Sequence, residues 1–269
     1  MSDIIKEIQD MRYLNWTKTR KSSGTAGSFL KSYDDTRKKK IYYKLSDYDQ
    51  IKGITGHECV NEIVVQRLLR LLNIEHLEYK LIHALVRIAD KDYETWLCAS
   101  EDYKRDGESK IPLEEFYEIE KAEGESPFAF CKRMGWEPEV YGMLVIDFLV
   151  LNRDRHGANL EVLRDEKKKK IRLAPLFDHG ISLLCRCHTA EELNAYDIME
   201  DKKVQSFIGA DSTRQNIMMV PKEYLRQIPK LKESDLDLVF DGIPDIIGMA
   251  HANKMREMIW KRWCELDCI

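Results

Sequence analysis

The chain carries Asn152-Arg153-Asp154-Arg155-His156-Gly157-Ala158-Asn159, and Phe177-Asp178 follows beyond a segment that reads as one β-hairpin. Phosphoryl transfer from ATP uses a carboxylate that receives the substrate hydroxyl proton, and an asparagine and a second carboxylate that hold Mg²⁺. Asp154, Asn159 and Asp178 provide these groups in that order, with four residues between the first two. The spacing predicts a phosphotransferase site that uses ATP and Mg²⁺, with Asp154 as the catalytic carboxylate and Asn159 and Asp178 as metal ligands.

Each of these residue types also has ordinary structural roles. A single Asp–Asn pair in a loop is usually turn or capping chemistry. The prediction therefore depends on the joint pattern, which is a helix before the loop, the spacing within it, and an aspartate after the hairpin. Gly157 and Ala158 are small enough for a tight turn. His156 is a candidate catalytic residue that could contact a phosphate or the metal shell, or it could be a buried histidine that braces the loop.

The N-terminal half contains a candidate lysine–glutamate pair. Lys44 lies in the apolar stretch Ile41–Leu45, where a lysine must be exposed at an edge or paired. Glu62 lies in a segment with helical spacing, and a Lys44–Glu62 pair would orient the ammonium toward the α- and β-phosphates of ATP. Glu58, one helical turn earlier, is the main rival for this role. Alternatively, Lys44 and Glu62 are both ordinary surface charges.

Two further segments are predicted to contact ATP. A run of small and polar residues would cover the phosphates, because glycines allow close approach of the backbone and amide and hydroxyl groups bind anionic oxygens. The residues of this phosphate loop are Gly24, Thr25, Ala26, Gly27 and Ser28. Residues 98–103 join the two halves of the chain, and the backbone near Glu101 and Tyr103 is the predicted contact for adenine.

The periodicity of apolar residues predicts a mixed α+β architecture with two lobes. The predicted elements are a short amphipathic helix carrying Ile4, Ile5, Ile8 and Met11, two strands ending at 45, a helix at 58–73, a β-pair at 77–89 and 93–99 with Lys91-Asp92 at its turn, helices at 112–121, 127–134 and 138–151, a hairpin with Lys167 to Lys170 at its tip, and a helical C-terminus at 245–267. This pattern predicts a bilobal protein-kinase-like fold, with a small β-rich lobe with one helix at 1–100 and a larger, mainly helical lobe at 101–269.

The composition favours a soluble protein without a nucleic-acid or membrane partner. The 269 residues are 43% hydrophobic and 33% charged, with a formal net charge of −4. No apolar run approaches the roughly 20 residues needed to cross a bilayer, and no basic, aromatic-interleaved patch indicates direct nucleic-acid binding. Seven scattered cysteines are typical of reduced thiols in a cytoplasmic protein.

The motifs resemble those of the HipA-like serine/threonine kinases, which are bacterial enzymes and in some cases toxins of toxin–antitoxin systems. The resemblance rests on residues 152–159, on Leu173-Ala174-Pro175-Leu176-Phe177-Asp178-His179-Gly180, and on Asn61-Glu62 opening an apolar helix. It covers roughly residues 20–184 and is strongest at 147–184. The Asp-Arg-His-x-x-Asn core also resembles the phosphatidylinositol 3- and 4-kinases, but the Leu-Ala-Pro-x-Phe-Asp segment favours the HipA-like side.

The resemblance implies an ATP- and Mg²⁺-dependent protein kinase with Asp154 as catalytic residue, an unidentified protein substrate and an antitoxin-like partner. It also implies autophosphorylation of a serine in the phosphate loop, for which the candidates are Ser22, Ser23 and Ser28. HipA itself has an N-terminal subdomain where this chain has about twenty residues, so the chain resembles a compact, kinase-core-only member. Two other hypotheses keep the fold: a kinase that acts on a lipid or small-molecule alcohol, and a pseudokinase that serves as a binding module.

Overall fold

The computed structural model describes residues 2–17, 29–36 and 38–268. The strands are β1 (Ile4–Asp10), β2 (Lys31–Asp34), β3 (Ile41–Leu45), β4 (Tyr48–Asp49), β5 (Gly53–Ile54), β6 (Tyr79–Ile88), β7 (Lys91–Glu101), β8 (Glu108–Pro112), β9 (Asp154–Arg155), β10 (Glu161–Asp165), β11 (Lys170–Leu173) and β12 (Gln205–Ser206). The α-helices are α1 (Glu58–Leu71), α2 (Leu113–Glu120), α3 (Pro127–Arg133), α4 (Glu137–Val150), α5 (Ala190–Ala195), α6 (Thr213–Ile217), α7 (Lys222–Gln227), α8 (Leu236–Val239), α9 (Pro244–Ile247) and α10 (Met249–Asp267), with 3₁₀ turns at Gly157–Asn159 and Glu233–Asp235.

A five-stranded sheet with the order β1-β6-β7-β3-β2 forms the N-terminal part. One face of the sheet packs against α1, where Leu81 and Cys98 share a core with Ile63. The other face carries a separate apolar cluster that includes Leu45 and Leu97. Because side chains alternate across a strand, Lys44 points to the α1 face while its neighbour Leu45 points to the opposite core.

The helix predicted near the N-terminus is wrong. Ile4–Asp10 is a strand that pairs in parallel with β6, with Ile4 opposite Leu81. Ile4 is buried whereas Ile8 is 53% exposed, so the segment presents no helical apolar face. Isoleucines suit a pleated surface as well as a helix, and the open edge of β6 supplies the hydrogen-bond partners that decide between the two.

The turn of the long hairpin also lies two residues before the predicted Lys91-Asp92. Ala89 and Asp90 form it, both with positive φ (46° and 66°), as a two-residue hairpin turn requires. Lys91 and Asp92 belong to β7, where the Asp92 carboxylate accepts a hydrogen bond from Arg87 on β6 at 2.6 Å. This ion pair joins the two strands, so Asp92 is a strand residue although aspartate is common in turns.

The C-terminal part is mainly helical and is built around α4, which is buried along most of its length. The helices predicted at 58–73, 112–121, 127–134 and 138–151 are confirmed as α1 to α4, and the predicted basic hairpin is confirmed as β10 and β11. β8 adds a third strand to this hairpin. A sheet-rich part followed by a helical part confirms the predicted α+β class, while the division between residues 100 and 101 stays a prediction. Across the described ranges, no helix combines the length and apolarity needed to span a membrane.

Candidate active site

Lys44 lies at the centre of a buried ion network between the sheet and α1. Its ammonium donates to Glu62 Oε1 at 3.1 Å and also to the Asp178 carboxylate. The lysine is only 9% exposed, so an unpaired charge there would be costly. Burial alone lowers the pKa of Lys44, but the charges of Asp178 and Glu62 outweigh it and hold the pKa well above its usual value. Lys44 is therefore a permanent cation at the point where the phosphates of a nucleotide are predicted to lie.

The structure pairs Lys44 with Glu62 and gives the rival Glu58 a different hydrogen bond. Glu58 Oε2 accepts the backbone N–H of Asp47 at 3.2 Å. Burial raises the pKa of Glu58, and the Asp47 amide and the Lys44 charge only partly oppose this. Glu62 is fully buried, which by itself would raise its pKa, but Lys44 and the hydrogen bond from His179 lower it. Glu62 is therefore the carboxylate that stays ionised beside the lysine.

The same helix holds the loop that carries Asp178. Glu62 accepts the backbone N–H groups of His179 at 2.9 Å and Gly180 at 3.1 Å. The side-chain amide of Asn61 donates to the carbonyls of Gly180 at 2.9 Å and Ser182 at 3.0 Å. Asp178 itself has a positive φ of 60°, a conformation that few non-glycine residues adopt without such support. Neighbouring residues of α1 thus position the lysine and one predicted metal ligand together.

The loop with Asp154 begins where α4 ends. Leu151 adopts the left-handed conformation (φ 48°) and stops the helix. Asn152 Oδ1 then accepts the backbone N–H of Asp154 at 3.2 Å, and the Asn159 side-chain amide donates to the Asp154 carbonyl at 2.8 Å. These bonds close the loop on itself, so Asp154 and Asn159 are held at one site. Parallel pairing of β9 with β12 fixes the loop from the other side.

His156 braces this loop and also approaches Asp154. Its Nδ1 accepts the backbone N–H of Ala158 at 3.2 Å, while Nε2 lies 3.7 Å from Asp154 Oδ1. Burial raises the pKa of Asp154, the nearby His156 counteracts it, and Asp178 adds to the rise because it is a like charge. The two aspartates therefore sense each other electrostatically, as expected for carboxylates at one site. A catalytic role for His156 stays a prediction.

A buried ion pair behind the loop is the feature that the sequence reading missed. Arg155 is 1% exposed; its guanidinium donates twice to the Asp147 carboxylate, at 3.0 and 2.9 Å. It also donates to the Phe177 carbonyl at 3.0 Å, and Asn152 donates to Asp147 at 2.9 Å. The pair links α4, the Asp154 loop and the residue before Asp178. Its signal in the sequence was Asp147, a single acidic residue within an otherwise apolar helix end.

A cleft of about 230 Å³ opens beside this network. Its lining residues come from the sheet, from the connection after β7 and from β10 and the Asp178 loop: Lys31, Ser32, Tyr42, Tyr43, Lys44, Leu77, Tyr79, Cys98, Ser100, Glu101, Tyr103, Lys110, Glu161, Phe177 and Asp178. The cleft brings the predicted ATP contacts Lys44, Glu101 and Tyr103 to one cavity. The Tyr103 ring stacks on Phe177 with centroids 5.7 Å apart.

The predicted phosphate loop and the autophosphorylation candidates lie outside the described residues. The loop residues are Gly24, Thr25, Ala26, Gly27 and Ser28, and the autophosphorylation candidates are Ser22, Ser23 and again Ser28. The described residues on either side are informative. Thr17 and Lys31 exchange backbone hydrogen bonds of 3.0 Å in both directions, and the Phe29 ring lies 4.8 Å from the Lys44 ammonium. The two flanks of the loop are therefore joined next to Lys44.

The comparisons with known proteins concern the fold. No family model and no curated protein matches the sequence. Among solved structures, the proinflammatory kinase CtkA of Helicobacter pylori matches with a TM-score of 0.65 and 16% identity, over 97% of this chain and 96% of that one. The Golgi casein kinase matches with a TM-score of 0.48 and 11% identity, over 91% of this chain and 71% of that chain.

The complex of HipA, HipB and operator DNA from a toxin–antitoxin system of Shewanella oneidensis MR-1 matches with a TM-score of 0.41 and 13% identity, over 97% of this chain and 61% of that chain. Of these three structures, CtkA has a TM-score above 0.5 and shows the fold. The CtkA match agrees with the kinase fold that the motifs of residues 152–180 imply. The chain thus shares its α+β fold with CtkA, a kinase.

Proposed function

We propose that the chain is an ATP- and Mg²⁺-dependent serine/threonine protein kinase, which transfers the γ-phosphate of ATP to a protein hydroxyl. The observation that carries the proposal is the buried network in which the Lys44 ammonium joins Glu62 and Asp178 at the cleft. A kinase uses such a lysine–glutamate pair to orient phosphates and such an aspartate to hold Mg²⁺. The kinase fold that the chain shares with CtkA supports the proposal.

The donor set suits Mg²⁺. Mg²⁺ is usually held by one or two protein carboxylates together with substrate phosphates, and it keeps several waters. Asp178 offers a carboxylate, and Asn159 uses its side-chain nitrogen toward the Asp154 carbonyl, which leaves the amide oxygen as its acceptor atom. No group of three or more His, Cys, Asp or Glu side chains able to hold a metal occurs within the described ranges. When bound, the ion would neutralise charge that develops on the phosphates.

The residues of the chain then have separate tasks. Lys44 would contact the α- and β-phosphates, and Glu62 would keep its ammonium in place through the 3.1 Å contact. Asp154 would accept a hydrogen bond from the acceptor hydroxyl and receive its proton as the new phosphate ester forms. A carboxylate suits this task because it is an acceptor only when ionised. Most of the rate gain would come from positioning and electrostatics.

A transfer assay tests the proposal. The parent protein, Asp154→Ala and Asp178→Ala are each incubated with γ-labelled ATP, Mg²⁺ and a dephosphorylated protein acceptor. Loss of the catalytic carboxylate or of a metal ligand is expected to lower transfer on the order of 10²-fold or more. Asp237→Ala is the matched control, because its side chain is 70% exposed and pairs with Arg256 on the helical part. Equal transfer by all four proteins would contradict the proposal.

A separate measurement tests which type of residue is phosphorylated. Phosphoamino-acid analysis of the labelled acceptor should give phosphoserine or phosphothreonine, and mass spectrometry should find phosphate on Ser22, Ser23 or Ser28 if the phosphate loop is autophosphorylated. Comparison of cells expressing the parent with cells expressing Asp154→Ala would identify the substrate. Tight ATP binding without transfer to any protein would indicate a binding module instead.

A further inference from the structure

We infer that Glu161 is a specificity residue whose carboxylate accepts a hydrogen bond from the nucleoside part of the bound nucleotide. The inference rests on the proposed function, since it concerns the nucleotide cleft. Glu161 belongs to none of the motifs in the sequence, and the structure alone brings it into the cleft with Lys44 and Asp178. The donors available on an adenine nucleoside are the ribose hydroxyls and the amino group of the base.

The strand geometry directs Glu161 into the cleft. Glu161 is the first residue of β10, and the next residue, Val162, is fully buried in the main core. Val162 pairs with Leu173 of β11 on one side and Ile111 of β8 on the other. Because successive side chains of a strand point to opposite faces, Glu161 faces away from this core. The Glu161 side chain therefore forms part of the cleft wall.

Glu161 lies away from the phosphate end of the cleft. Lys44 pairs across the sheet with Cys98, and Ile41 pairs with Glu101. These positions are three residues apart along the strand, which corresponds to about 10 Å at roughly 3.3 Å per residue. Tyr103 follows shortly after Glu101, and its hydroxyl donates to Glu161 Oε2. A nucleotide with its phosphates at Lys44 would therefore have its ribose and base near Tyr103 and Glu161.

The carboxylate is held in place before any ligand binds. The Tyr103 ring stacks on Phe177 with an interplanar angle of 23°. The Lys110 ammonium lies 3.9 Å from the centre of the same ring and 2.9 Å from the Asp102 carboxylate. A carboxylate has about four lone-pair positions, so it can accept hydrogen bonds from more than one donor at a time. A rigid acceptor of this kind adds affinity because little ordering is required on binding.

Calorimetry with nucleotide analogues tests the inference. The parent and Glu161→Gln are titrated in Mg²⁺ with ATP, 2′-deoxy-ATP, 3′-deoxy-ATP and inosine triphosphate, which lacks the amino group of adenine. Glu161→Gln is expected to bind ATP about 10- to 100-fold more weakly, since hydrogen bonds to charged groups are among the stronger ones. One analogue should bind the parent about 10- to 100-fold more weakly than ATP does. The Glu161→Gln variant should bind that analogue and ATP with equal affinity. That analogue identifies the ribose or the base as the donor.

The control is Glu166→Gln, on the same hairpin with a side chain 77% exposed, which should bind ATP as the parent does. The inference is overturned if Glu161→Gln binds ATP like the parent, or if it weakens all four nucleotides equally, which would indicate a structural role. Should the variant unfold, the parent alone decides, because equal affinity for all four nucleotides also overturns the inference. A parent that binds no nucleotide would instead remove the proposed function itself.

Discussion

The buried Asp147–Arg155 pair allows a sharp test of how the catalytic loop is held. Arg155 makes two hydrogen bonds of 2.9–3.0 Å to Asp147 and is almost completely enclosed. Asp147→Asn keeps the shape of the side chain but leaves the guanidinium charge without a compensating anion. Removing one partner of a buried pair costs about 3–5 kcal/mol of unfolding free energy. That is a large part of the roughly 5–15 kcal/mol that stabilises an ordinary domain.

The assay is urea denaturation of four proteins: the parent, Asp147→Asn, Arg155→Met and the double variant. The double variant removes both charges, so it should lose about 2 kcal/mol less than the sum of the single losses. Asp245→Asn is the control, since its pair with Lys6 is exposed on both sides (69% and 61%) and should change stability by about 0–1 kcal/mol. A loss below about 1 kcal/mol for Asp147→Asn, similar to this control, would refute the reasoning.

The same variants report on function. Arg155 also donates to the Phe177 carbonyl, directly before Asp178. The double variant should therefore remain folded at low temperature yet bind ATP with Mg²⁺ more weakly, because one hydrogen bond that positions the metal ligand is absent. Unchanged nucleotide affinity in the folded double variant would show that the pair stabilises the protein without positioning the site.

Three further outcomes are expected. Burial holds the pKa of His57 at about 3, below the ordinary 6.5, so only the unfolded chain takes up this proton as the pH falls; stability is complete above pH 6.5 and declines toward pH 3. Between pH 7 and 5, protonation of His57 in the unfolded chain should lower the parent's free energy of unfolding by about 2 kcal/mol. Urea denaturation should show no such contribution in His57→Gln, whereas the control His83→Gln should still show it. Burial also raises the pKa of Asp154, so the acid limb of kcat/KM should lie above pH 3.9, and a limb at or below this value would contradict the assignment. In Gly180→Ala the new Cβ would lie 3.0 Å from the Glu58 Cβ and 3.2 Å from the Lys44 ammonium, so the lysine is expected to be displaced and calorimetry should show about 10-fold weaker ATP binding. Unchanged affinity would show that the added methyl group does not displace the lysine.

Local patterns in the sequence were enough to predict several elements. The helices α1 and α4 have apolar residues at clear helical intervals, and their ends agree with the predicted bounds within about two residues. The order of Asp154, Asn159 and Asp178 predicted a kinase-like site, and the short spacing of the first two allows a local bond from the Asn159 amide to the Asp154 carbonyl. The fold comparison agrees with the kinase fold that this order implied.

Contacts between distant segments decided what the sequence left open. Ile4–Asp10 became a strand because β6 offered an unpaired edge, and Lys44 paired with Glu62 because of the rotation of α1 against the sheet. The enclosure of Arg155 and the position of Glu161 in the cleft likewise depend on elements far apart in the chain. A window of neighbouring residues records propensity and spacing, whereas the energies of burial and pairing arise only when remote segments meet. For that reason the motifs predicted the residue types of a phosphotransferase site, whereas contacts between remote segments brought Lys44, Glu62 and Asp178 together.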